Sequence, residues 1–150
     1  MSTALSTIWA EIDLRLAAVV QPDGGSYERM ASADPEVFPA LEAIDGGEEP
    51  IDAEGGPDSE MLELGFTVEG FVENYSGAAS HDAMAELHAS AVKALCGDAG
   101  NNLGGLVESI RRIGRRRVDV AELAERRRLG FAQDFAVTYA TPRGDPATLL

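Results

Sequence analysis

A chain of 150 residues with 45% apolar and 25% charged side chains suits one folded core, which excludes wholesale disorder, collagen-like repeats and an extended coiled coil. Its one cysteine, Cys96, excludes an intrachain disulfide and a thiolate zinc site assembled from this chain alone, and no run of about 18 apolar residues offers a membrane-spanning helix. The net charge of −14 belongs to one half: residues 1–75 hold 17 acids against Arg15 and Arg29, while residues 76–150 hold nine acids against ten bases, a division that steers protein association and does not suit general nucleic-acid binding.

In chain order, Leu5, Ile8, Trp9, Ile12, Leu16, Val19 and Val20 recur at helical spacing with Glu11, Asp13 and Arg15 on the other face. This predicts an amphipathic helix over 5–20, stopped by Pro22 and Gly24-Gly25. Residues 1–9 lack the basic-then-apolar order of a secretory signal, so synthesis in the cytoplasm is expected. A polar connection leads to a short strand over 37–44, in which Pro39 favours an edge or a bulge because it donates no ladder hydrogen bond. Residues 45–60, with seven acids, no base and the pairs Gly46-Gly47 and Gly55-Gly56, bury too little apolar surface to offset their ordering entropy. They predict a long, mobile hairpin loop.

The clearest strand follows: Leu62, Leu64, Phe66, Val68 and Val72 alternate with Glu63, Thr67, Glu69 and Glu73, giving one buried face and one acidic, wet face. Ser80 as N-cap opens a second helix with Met84, Leu87, Ala91, Val92 and Leu95 on one face and Gly97 beyond its end. Leu103, Leu106, Val107, Ile110 and Ile113 fit a short helix over 101–113 better than a strand, although Gly104-Gly105 weakens either assignment. A last strand over 129–141 places Leu129, Phe131, Phe135, Val137 and Tyr139 on one side, interrupted by Gln133, and Pro142, Gly144 and Pro146 leave a flexible tail over about 143–150. The expected architecture is α+β: a mainly antiparallel sheet of about four strands with two main helices packed on one face, in a single domain over 1–150.

Catalytic arrangements fail on spacing, direction or exposure. Ser80, His81 and Asp82 are adjacent at a helix start and cannot form a nucleophile–base–carboxylate relay. His81 and His88 lie two helical turns apart, too far to share a metal ion, and His88 sits on the apolar face as a packing residue. The acidic row Glu63, Glu69 and Glu73 reads as a solvated strand face, or as an acidic surface presented to a partner or lining a passage. No glycine pair forms a phosphate-cradling motif, and no cofactor is expected. What remains is Arg111, Arg112, Arg115, Arg116, Arg117, Arg126, Arg127 and Arg128, eight arginines within eighteen positions. Arginine suits bidentate carboxylate contacts at interfaces, so a subunit or ring interface stands beside a solvated flank. DNA contact is a smaller share because no aromatic residue interleaves the cluster.

Taken in order, the opening helix, the strand entry Val37-Phe38-Pro39-Ala40-Leu41, the alternating strand 62–72, the helix 80–95 and the ending Phe135-Ala136-Val137-Thr138-Tyr139-Ala140-Thr141 resemble the tail terminator family of long-tailed phages. The similarity is to the minor tail protein U type of lambda-like phages and to related subunits of gene transfer agents. The acidic loop is longer than that family's pattern. The resemblance implies a non-enzymatic virion protein, a hexameric ring at the head-proximal end of the tail tube that ends tube polymerisation. Its partners would be further copies of itself, the tail tube protein and a neck or head-completion protein, with DNA passing through the lumen without sequence-specific binding and no membrane involved. A neck or connector subunit of the same particle, a cytoplasmic nucleic-acid-binding module, and an enzyme whose pocket joins Glu63 or Glu69 to His88 are the competing readings.

Overall fold

The computed structural model describes residues 2–51, 56–73, 77–118 and 128–150, of which the side chains of 117 and 118 are excepted. Helix α1 spans Ala4–Val20 and opens with a capping box: Thr3 Oγ1 accepts from Ser6 N at 3.0 Å, and Ser6 Oγ accepts from Thr3 N at 2.8 Å. Its buried stripe, Ile8, Trp9, Ile12, Leu16 and Val20, is the one the periodicity predicts. Pro22 lies in a 3₁₀ turn, Gln21–Asp23, and Gly24 takes the left-handed conformation at φ 67°. At Gly25 an added Cβ would collide with Pro39 O, so glycine is required where the two segments cross.

Strand β1, Ser26–Arg29, falls in what the sequence presents as a polar connection. It is too short to show alternation, and it pairs parallel with the start of β2, Ala40–Pro50. The Phe38–Pro39 peptide bond is cis, and Pro39 precedes the strand, so it sits neither on an edge nor in a bulge. Further on, the expectation of a loop from residue 45 is corrected. Gly46 and Gly47 form a bulge between Asp45 and Glu48, Gly47 at φ 94°, and β2 continues to Pro50 against β3, Ser59–Glu73. Main-chain pairing to β3 supplies the order that the acidic side chains cannot. The middle of the expected loop, 52–55, lies outside the described residues.

Helix α2 spans Gly77–Cys96, so Ser80 lies inside the first turn, buried and with its hydroxyl unpartnered among the described residues, and is not the N-cap. Gly97 N donates to Lys93 O at 2.8 Å, and an added Cβ there would collide with that same carbonyl. The short helix expected over 101–113 is absent. Asn101, Leu103, Gly104 and Gly105 all have positive φ, a conformation that breaks helical continuity, and strand β4, Ser109–Val118, follows. The turns bury Leu103 and Val107 and the start of β4 buries Ile110, three or four residues apart, and so imitate a helical period. Strand β5, Arg128–Pro142, is paired along its length with β3.

The sheet order is β1-β2-β3-β5-β4, antiparallel except for β1 with β2. The fold is α+β as expected, with five strands in place of about four. Both helices lie on one face, where Trp9 meets Phe66 edge-on at 5.3 Å, Phe66 stacks on Phe135 at 5.2 Å, and His88 meets Phe131 at 5.1 Å. Arg15 ties the helices together, bonding Glu11 and Asp98 at 2.8 Å each and Ala94 O at 3.0 Å. The expected flexible tail is tied down: Arg143 N donates to Asp58 O, its guanidinium to the carbonyls of Gly56, Pro57 and Ser59, and Leu150 N to Ala140 O.

Candidate functional site

The helix-free face of the sheet carries the charges. Register places Glu63, Thr67 and Glu69 of β3 beside Thr138, Asp134 and Ala132 of β5, and those beside Ser109, Gly114 and Arg116 of β4. Arg111 bonds Glu63 at 3.4 Å, Arg128 bonds Glu73 at 2.6 Å, and Arg116 forks onto Asp134, which also accepts from Thr67 Oγ1 at 2.7 Å. The Arg116 contact first, and the Thr67 hydroxyl second, hold the Asp134 carboxyl below its ordinary range. The acidic row and the arginines, separate features in the sequence, therefore interlock on one surface. Exposed pairs of this kind contribute little individually.

Eight arginines do not make one patch. Because side chains alternate along a strand, β4 sends Arg111 and Arg116 to the open face and Arg112 and Arg115 to the helix side, where Arg115 Nη1 reaches Met84 Sδ at 3.4 Å. The positive field of Arg112 opposes the upward push that burial gives the Cys96 thiol. Arg128 begins β5, its guanidinium 4.4 Å from the Phe38 ring. Arg117 pairs with Phe131 in the ladder, and Arg126 and Arg127 lie outside the described residues.

The register between Arg112 and Gly114 shifts at Ile113, a bulge. Gln133, which the sequence shows only as an interruption, holds it. Its amide nitrogen donates to Gly114 O and to Asp134 O, both at 2.9 Å, which turns Oε1 toward His88 Nε2 at 2.8 Å. The ring nitrogen must then donate. His88 is thus a half-buried packing residue, and the sheet lies between it and Glu63 and Glu69, which the enzyme reading needs on one side. His81 is exposed on α2. Among the described residues no group of three or more His, Cys, Asp or Glu could hold a metal ion, and no described helix is long and apolar enough to cross a membrane.

At the far side of the sheet the balance reverses. β1 covers β2 only over Ala40–Ala43, leaving Asp45, Glu48 and Glu49 on an open edge, with Glu48 accepting from the buried Tyr139 hydroxyl. Burial, then the fields of Glu69, Asp34 and Glu28, raise the carboxyl pKa of Glu42. The sheet thus ends in the basic β4 on one side and, on the other, in the short β1 with the acidic end of β2 left beyond it. Sequence reasoning misses the acidic edge because an Asp-Gly-Gly-Glu-Glu-Pro run reads as loop.

No protein-family model matches the chain, and no curated protein does. Among solved structures it is similar to a chain of "Virion of native gene transfer agent (GTA) particle", at 15% identity over 82% of each chain and a TM-score of 0.47. A likeness of that grade carries no weight for function.

Proposed function

We propose that this chain is a structural virion protein without catalytic activity or cofactor, a tail terminator whose copies close a ring, hexameric in the resembled family, at the head-proximal end of a phage-like tail tube. There it ends tube polymerisation and docks the tail to the neck or head. The observation that carries the ring is the opposition of charge between the two open edges of one sheet. Such edges are complementary to each other and not to themselves, and surfaces of that kind build head-to-tail, heterologous contacts that close when the rotation allows. The assignment to tails is supported by the ordered sequence resemblance. DNA would pass through the lumen without sequence-specific contacts. A neck or connector subunit shares the same geometry and differs only in which neighbours bind each ring face.

The test is native mass measurement and electron microscopy of the protein with tail tubes. A closed oligomer seated on tube ends supports the terminator. A monomer that never caps tubes, together with tubes of normal length in its absence, defeats it. Reversing Arg115, Arg116 and Arg117 to Glu is expected to abolish the oligomer while leaving a folded monomer, and oligomers of unchanged mass would show that those side chains lie outside the joint.

A further inference from the structure

Resting on the ring reading, we infer that neighbouring copies join by main-chain pairing, β4 of one subunit adding to the open half of β2 of the next, so that one sheet runs on through the ring. β4 ends the sheet, and on its open side only Ile110 N–H finds a backbone partner among the described residues, Asn101 O at 2.7 Å. The opposite border is open in part: β1 pairs no further than Ala43 and β2 runs on to Pro50, with Asp45 N–H resting on Met30 Sδ at 3.2 Å and Gly47 N–H on Asp45 Oδ1 at 2.7 Å, two contacts that an added strand would have to replace. Unpaired edges of this length are templates for strand addition.

Three features favour a second copy as the occupant. β4 carries five arginines and no acid, whereas 45–50 carries three acids and no base. Direction also agrees: β2, β3, β5 and β4 are joined by three antiparallel steps, so β2 and β4 of one subunit run opposite ways. In a ring whose strands lie along its axis, rotation brings β2 of the next copy beside β4 in antiparallel sense, the pairing that a hairpin-built sheet already uses. Finally, the ladders set a level. Ser109 lies in one row with Thr138, Glu63 and Glu49, and Arg112 in one row with Phe135, Phe66 and Asp45. A rotation without shift therefore sets Ser109–Arg112 against Glu49–Asp45, and the β4 bulge at Ile113, 60% exposed, falls level with the step where β1 begins to project on the neighbour. Arginines on an edge strand also serve to keep edges apart, but such a guard has no need of an opposite edge of contrary sign.

The test uses Cys96→Ser protein carrying Ser109→Cys, mixed with the same protein carrying Glu49→Cys. Within one subunit these positions are three strand spacings apart, roughly 14 Å, beyond the reach of a disulfide. Oxidation of the mixture is expected to yield a covalent dimer that neither variant forms alone, and the double variant a ladder of covalent multiples. Native mass measurement on the same samples separates the two levels of inference. Oligomers without the mixed cross-link, or Ser109→Cys copies linking to one another, overturn the strand pairing and leave the ring. Monomers overturn both, whereas cross-linked rings that fail to cap tubes overturn only the terminator assignment. Amide hydrogen exchange on the unsubstituted protein checks it without mutation: protection over 45–49 and 109–112 is expected to rise with protein concentration, and protection that does not change contradicts the pairing.

Discussion

The two faces of the sheet follow different rules. On the helix side, Phe66, Phe131 and Phe135 pack beneath Trp9 and His88 with almost no exposure, and close packing makes each atom count. On the open side, Arg111, Arg116, Glu63 and Asp134 pair across strands while half in water, where removing a partner costs little. One face holds the fold and the other, with its two charged edges, is free to meet a partner. Substitutions should therefore divide sharply between effects on stability and effects on assembly.

The largest expected loss is Phe66→Ala, which removes the ring stacked between Trp9 and Phe135 and should cost about 3–5 kcal/mol in denaturant unfolding. Less severe is Gly70→Ala, whose Cβ would meet the Phe131 ring; about 1–3 kcal/mol is expected from overpacking. Gln133→Leu deprives His88 and Gly114 O of their partners and should cost about 1–3 kcal/mol, while loosening the β4 bulge enough to raise amide exchange there. A Gln133→Leu protein of unchanged stability and exchange would show that the bulge stands without its clamp.

The smallest effects belong to the open face and carry opposite pH signatures. The Asp134 carboxyl is depressed, so the stability it contributes is present above the unfolded-state value near 4 and is lost as pH falls through the folded one. Asp134→Asn should be slightly destabilised at pH 7 and equal to the parent in strong acid. The Glu42 carboxyl is raised, so ionising it costs stability as pH rises through that window, and Glu42→Gln should be as stable as the parent or more so at pH 7. Urea titrations from pH 7 down to pH 2 measure both; the same pH slope for the two variants would contradict the charge map.

Much of this contrast is legible in the residues. The period of Leu5–Val20 and the alternation of Leu62–Val72 each announce a half-buried element, because the buried face imposes the repeat. β1 escapes notice since four residues with parallel pairing leave no period, and β4 is disguised by the bulge at Ile113, which breaks the alternation, and by turns that space Leu103, Val107 and Ile110 like a helix. The arginines are visible as a run, but which face each takes depends on that bulge. The acidic edge is hidden because its order comes from β3, a partner distant in the chain.

The most direct test of the ring is complementation between two variants. Arg111→Glu with Arg112→Glu makes both paired segments, 109–112 and 45–50, acidic, and Glu48→Lys with Glu49→Lys makes both basic, so each protein alone should remain monomeric. Mixed in equal amounts, they should restore closed rings of alternating subunits by native mass, with a mass near that of the parent ring. Mixtures that stop at dimers would point to a contact between like edges, and variants that assemble alone would contradict the charged edges as the joint.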